Sequence, residues 1–171
     1  LGVARALVAE HRVARPVTFV FTGAEELGLF GSRAYAAAPL RPLAETRAVI
    51  NLDMVGRRFY EQAVDRDLAI GAVGLGDDAA LAAAADRAAA RAGLAIVPVS
   101  PALLMAIGEG FRGDDWSFRR PGLPAVHFST GLHDDYHAPS DTAEHIAPAQ
   151  LARSAALIHA LVEELDGEVT N

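Results

Sequence analysis

The sequence predicts an α/β fold, a three-layer α/β/α sandwich around a mostly parallel mixed sheet, and three observations carry that expectation. Short apolar runs of strand length, such as Val17-Thr18-Phe19-Val20-Phe21 and Ala125-Val126-His127-Phe128, are bounded by Gly, Pro and Asp. Longer stretches with helical periodicity lie between them. The 171 residues are 51% hydrophobic but only 6% aromatic, which fits one Ala/Val/Leu core and a single domain over 1–171.

In chain order, the spacing predicts a helix over 1–13, a buried strand over 17–22 and a helix over 31–38. Strands follow over 47–53 and 67–73. The Ala-rich helix predicted over 77–92 opens on Asp77-Asp78, whose charge suits a helix N-terminus, and closes on Gly93, the residue that tolerates the left-handed turn after a helix. Strands are predicted over 95–99 and 124–129. The stretch from Pro98 to Gly113 reads as a long loop or flap. The last helix, over 147–166, has Pro148 in its first turn, where a missing N–H is harmless. Leu151, Ala155, Ile158, Leu161, Val162 and Leu165 form its predicted apolar face. No internal repeat, linker or second domain is apparent.

Several function classes are disfavoured at once. A net charge of −7 argues against nucleic acid, which needs clustered cations. No apolar run approaches the ~18 residues of a membrane span. The absence of cysteine removes disulfides, thiolate metal sites and cysteine nucleophiles, while leaving the compartment open. Gly74-Leu75-Gly76-Asp77-Asp78-Ala79 matches a dinucleotide fingerprint, but its two aspartates would face the pyrophosphate and no acid ends the strand ~20 residues on. Neither a G-x-S-x-G elbow nor an H-E-x-x-H helix is present.

The chemistry concentrates elsewhere. Glu25 and Glu26 directly follow the apolar run 17–21, although acids are poor strand formers. One carboxylate there can hold a metal while its neighbour takes a proton from water. Equally, Thr22-Gly23-Ala24-Glu25 fits a helix capping box. A second lone acid, Asp53, ends the run Ala48-Val49-Ile50 within Asn51-Leu52-Asp53-Met54-Val55-Gly56. Gly113-Asp114-Asp115-Trp116-Ser117-Phe118 leads into the strand at 124–129. Asp135-Tyr136-His137-Ala138-Pro139-Ser140-Asp141-Thr142 comes after it.

These segments together resemble zinc aminopeptidase family M28, with its EE-x-G-L-x-G-S box at Glu25–Ser32, its N-x-D-M-x-G box at Asn51–Gly56 and its Y-H-x-x-x-D-T box at Tyr136–Thr142. The resemblance implies a zinc-exopeptidase-like fold and a metal-dependent aminopeptidase acting on peptides with two zinc ions. It casts Glu25 as general base, Glu26 and His137 as ligands of one zinc, and Asp53 as a ligand of the other. The family's remaining two ligands lie upstream of the Glu-Glu pair, where no aspartate precedes Asp53. The chain is therefore expected to be N-terminally truncated, with zinc weak or absent and activity impaired. Asp114 and Asp141 are candidates to stand behind the ligands, although Asp141-Thr142-Ala143-Glu144 also reads as a cap. Gly113 and Asp115 depart from the family's usual S-D-H. Met54 and Tyr136, with Phe111 and Phe118, are candidate pocket walls. Of the other histidines, His127 is expected in the core and His11, His145 and His159 in solvent, while His133 is a candidate to contact ligands or substrate. The resemblance favours an exported protein and is silent on oligomeric state. A glutaminyl-cyclase-like enzyme with one zinc, or a non-catalytic domain of this fold, are the alternatives.

Overall fold

The computed structural model describes residues 1–59, 68–100, 113–119 and 122–167. Helix α1 spans Gly2–Glu10 and α2 Phe30–Ala37. Strands β1 (Val49–Leu52) and β2 (Ala69–Val73) follow, then α3 (Ala79–Ala92), β3 (Ala95–Pro98), the single turn α4 (Trp116–Arg119), β4 (Ala125–Ser129) and α5 (Pro148–Gly167). The strands form one sheet in the order β1-β4-β2-β3. β1 runs parallel to β4 and β2 to β3, while β2 and β4 are antiparallel. The predicted mixed, mostly parallel sheet is thus present. Most of the predicted loop from Pro98 to Gly113 lies outside the described residues, Phe111 included.

Alternation along the strands builds two layers of helix. Ile50, Ile70, Ala72, Val126 and Phe128 share one face and meet Leu81, Ala84, Ala85 and Ala88 of α3 and Leu157, Ile158 and Leu161 of α5. Phe128, Ile70, Leu81, Leu157 and Leu161 are fully buried, each worth roughly 1.5–3 kcal/mol of transfer free energy. Helix α3 is capped at both ends: Asp78 accepts from the Leu81 N–H at 2.7 Å, and Gly93 takes the left-handed conformation at φ 65°. On the opposite face, Asn51 and His127 sit side by side in register. There α2 meets α4, with Tyr35 and Phe118 rings 6.2 Å apart. Phe118 is therefore buried and packed against Tyr35.

Three expectations need correction. The run 17–22 forms no strand: Val17, Phe19, Val20 and Phe21 are each at least 40% exposed, and no described strand pairs with it. β-branched and aromatic residues favour extended backbone, but a ladder needs a neighbour to supply its hydrogen bonds. The inward face of α5 is also rotated from the predicted one. Leu151 is 43% exposed, and polar Gln150 and Ser154 point inward instead. Gln150 Nε2 donates to the Ala69 carbonyl at 3.0 Å and the Ser154 hydroxyl to the Val55 carbonyl at 3.3 Å, which brings both into the core on a hydrogen bond, although Gln150 Oε1 is buried without a hydrogen-bond partner.

His159 is not solvated as expected. It packs between Glu10, 3.4 Å away, and Glu163, whose buried carboxylate also pairs with Arg12 and Arg91. That network ties α1 and α3 to α5. It is also the one group of three His or acidic donors within 4.8 Å of one another among the described residues, and its arginines already balance its charge. No described helix is long and apolar enough to cross a membrane.

Candidate active site

The Glu25-Glu26 pair does not start a helix. The α2 helix begins only at Phe30, after a left-handed Leu29, and no side chain caps it. Residues 23–31 instead form a compact turn. Gly28 and Leu29 N–H groups both donate to the Glu25 carbonyl, at 2.9 and 2.8 Å, and the Gly31 N–H to the Gly23 carbonyl at 3.0 Å. Ala24 and Leu29 adopt φ of 56° and 62°, conformations that disfavour a Cβ. Gly31 is required by contact: a Cβ there would lie 2.6 Å from both the nitrogen and the oxygen of Gly23. This turn leaves Glu26 exposed and Glu25 half-buried. The capping reading of the pair is overturned.

Asp53 leaves the end of β1, where its N–H still donates to the Phe128 carbonyl at 3.2 Å. The chain then turns at Met54, φ 53°, and the Met54 carbonyl accepts from Thr130 N–H at 2.9 Å and from its hydroxyl. His137 sits in a series of tight turns after β4, also left-handed at φ 55°. Its Nε2–H donates to Glu26 Oε1 at 2.6 Å, and Tyr136 stacks on its ring at 3.8 Å. The first and third boxes therefore touch directly, 111 positions apart in sequence.

Electrostatics draws Asp53 into the same group. Burial raises the Glu25 carboxyl above its ordinary 4.5, and the charges of Glu26, Asp53 and Asp114 raise it further. Burial likewise raises Asp53 above 3.8, aided by Glu26 and Asp114 and opposed by His127. Asp114 accepts a hydrogen bond from the Thr22 hydroxyl, while its other oxygen, Oδ1, is buried without a hydrogen-bond partner. Four carboxylates, one with a buried oxygen that lacks a hydrogen-bond partner, and an imidazole are donor types that zinc takes, but among the described residues no three of their ligand atoms lie within 4.8 Å of one another.

Residues behind this rim differ from the sequence expectation. His127 is buried as expected, but it also faces the acids. Its Nδ1 lies 2.8 Å from Asn51 Nδ2 and 3.3 Å from Asp115 Oδ1, and its charge acts on both Glu25 and Asp53. Asp115 is held in turn by Arg119 Nε at 2.6 Å. Gly113 belongs to the same unit, because a Cβ there would stand 2.6 Å from His127 Nδ1. The paired departures from S-D-H thus make room for, and bind, a histidine on the neighbouring strand. A periodicity argument cannot see this, since His127 counts as one more residue of a buried strand.

Arg57 was likewise not legible as a site residue. It is 5% exposed, and its Nη2 reaches Asp135 Oδ2 at 2.5 Å, His133 Nδ1 at 3.0 Å and Asp141 Oδ1 at 4.0 Å. The Ser140 hydroxyl and Arg57 hold the Asp135 carboxyl below its ordinary 3.8. His133 also lies 3.8 Å from Asp141, and His145 3.3 Å from Asp135. Asp141 consequently pairs with Arg57 and His133 rather than bonding the His137 ring.

Similarity to known proteins agrees with this architecture. The profile of peptidase family M28 matches residues 1–162. An aminopeptidase from Aneurinibacillus sp. strain AM-1 is 26% identical, with a TM-score of 0.64 over 82% of this chain and 31% of that one. LapB from Legionella pneumophila superposes with a TM-score of 0.77 at 20% identity, over 97% of this chain and 44% of that one. A glutaminyl cyclase from Porphyromonas gingivalis gives 0.62 at 17% identity, over 83% and 48%. The chain spans less than half the length of each. No curated relative matches it.

Proposed function

The chain belongs to peptidase family M28, and from that premise we propose that it carries part of the catalytic centre of a zinc-dependent aminopeptidase. The observation that bears most weight is the direct Glu26–His137 contact, 2.6 Å, beside the raised carboxyls of Glu25 and Asp53. Glu26 and His137 would hold one zinc and Asp53 a second. Bound zinc would act as a Lewis acid toward the scissile carbonyl and would lower the pKa of the attacking water.

The chain's own groups do the rest. Glu25, as general base, takes the proton of the attacking water as the new C–O bond forms. It returns that proton to the amine nitrogen as the C–N bond breaks. Its raised pKa suits both halves of that exchange, since a weaker acid is a better base. The surrounding carboxylates attract the α-ammonium of a peptide N-terminus. Met54 and Tyr136, the latter partly exposed against His137, are the proposed walls for the first side chain. The 171-residue chain alone is proposed to bind zinc weakly, because three ligands are shared between two ions.

The test uses the full-length parent protein. Glu25→Gln should leave zinc content unchanged and lower kcat by roughly 10²–10⁴, the usual worth of a positioned base. Glu26→Gln or His137→Ala should instead strip zinc. Retention of zinc and turnover in all three variants would exclude this assignment of residues, whereas no turnover in the unmutated protein would favour a non-catalytic domain. Because glutaminyl cyclase shares the fold, the assay should include a substrate with N-terminal Gln; ammonia release without peptide cleavage would select cyclase chemistry.

A further inference from the structure

Arg57 is a buried cation with no place in the chemistry proposed above. It follows the Asn51–Gly56 box by one residue, and its guanidinium crosses to the segment that carries His137. There it meets Asp135 at 2.5 Å, His133 at 3.0 Å and Asp141 at 4.0 Å, groups that flank His137 on both sides in sequence. A second strut runs beside it, from the Ala147 N–H to the Gly56 carbonyl at 2.8 Å. Between these anchors the loop must hold His137 at φ 55°, a conformation that a non-glycine residue adopts only when its surroundings impose it.

We propose that Arg57 is a positioning residue: it locks the Asp53 segment to the 133–141 loop and so sets where His137 stands relative to Asp53. All three contacts converge on Nη2, and a guanidinium keeps its charge when buried among them, where a lysine ammonium readily loses its proton. The side chains that face Arg57 make a ring of acceptors, and removing the cation leaves Asp135 and Asp141 repelling one another under the loop. His133 and Asp141 then act through Arg57, which accounts for their place beside the boxes without direct contact to His137.

The inference rests on His137 being a zinc ligand, and the experiment separates the two ideas. Zinc affinity is measured by competition with a chelator on the full-length parent carrying Arg57→Met, Arg57→Lys, Asp135→Asn, His137→Ala or Leu161→Ala. The last weakens the remote helical core and controls for loss of stability alone. The His137 ring nitrogen signals are followed by NMR in the metal-free 171-residue chain. Arg57→Met should lower zinc affinity about tenfold, the lower end for groups that support ligands, and shift the His137 Nε2 signal. Arg57→Lys should recover only part of the loss, and Leu161→Ala should change neither quantity. If Arg57→Met fails to fold, Asp135→Asn removes the charge opposite the guanidinium at little change in shape, and should shift the same signal in the same direction. Unchanged affinity and an unchanged His137 signal in every folded Arg57 or Asp135 variant would overturn the proposal. Unchanged zinc binding in His137→Ala would instead overturn the ligand assignment.

Discussion

The α3–α5 layer and the rim that carries the three boxes follow opposite rules. In the helical layer most local preferences agree with the fold: Asp78 and Gly93 cap α3, alanines let it approach α5, and Leu157 and Leu161 are fully buried. At the rim, Ala24, Leu29, Met54 and His137 all take positive φ without being glycine. Four carboxylates stand together there, and one buried oxygen has no hydrogen-bond partner. Left-handed conformations of this kind cost roughly 1–2 kcal/mol per residue, so the helical layer stabilises what the rim strains. Strain gathered at strand ends, beside raised carboxyl pKa values, is the physical signature of a site rather than of a scaffold.

The comparison is open to attack from both sides. Leu161→Ala should remove about 2–5 kcal/mol in denaturant unfolding, because it opens a cavity in a layer that cannot collapse around it. A loss below 1 kcal/mol would mean that this layer is not the main source of stability. Gly31→Ala sharpens the contrast. Alanine in an ordinary helix is better than glycine by about 1 kcal/mol, but a Cβ clashing with Gly23 should instead destabilise by roughly 1–3 kcal/mol and displace the Glu25-Glu26 turn.

Acid titration probes the rim's charge. In the folded state the Glu25 carboxyl is raised above 4.5, so the folded protein binds its proton more readily than the unfolded chain does. Its contribution therefore disfavours folding increasingly as pH rises from 4.5 through the raised value. In metal-free protein, the thermal midpoint of Glu25→Gln should match that of wild type at acid pH and exceed it at neutral pH. Saturating zinc should narrow the gap by stabilising the carboxylates. A gap that instead widens on acidification would contradict the electrostatic account. The smallest effect is expected for Ala24→Gly. Relief of the left-handed strain there should offset glycine's extra unfolded-state entropy, leaving stability within about 1 kcal/mol.

Much of the helical layer was legible because composition and period act locally. The start of α3 at Asp78, its end at Gly93 and the start of α5 at Pro148 each follow from the chemistry of one or two residues. The inward turn of Gln150 and Ser154 was not legible, since a hydrophobic pattern has no term for a polar side chain that finds a distant carbonyl. Nor was the unpaired run 17–22, because β pairing depends on neighbours rather than on the run itself. At the rim, the boxes pointed to Glu25, Glu26, Asp53 and His137, and the fold brings Glu26 against His137. Arg57, and the contact of His127 with Asn51, were not legible because the partners lie 76 or more positions away, and nothing in their own segments marks them.

The contact between Gly113 and His127 has a consequence for how this sequence can change. A serine at 113 would place its Cβ 2.6 Å from the His127 ring, so that replacement is barred while the histidine stays. Removing the histidine first would leave Asp115 without one partner and open space beside Asn51. The two positions are therefore epistatic: each single step descends into a less fit sequence, and only the joint exchange crosses between the two arrangements. A double-mutant cycle on Gly113→Ser and His127→Ala should show a coupling of about 0.5–3 kcal/mol, with the double variant more stable than the sum of the singles foretells.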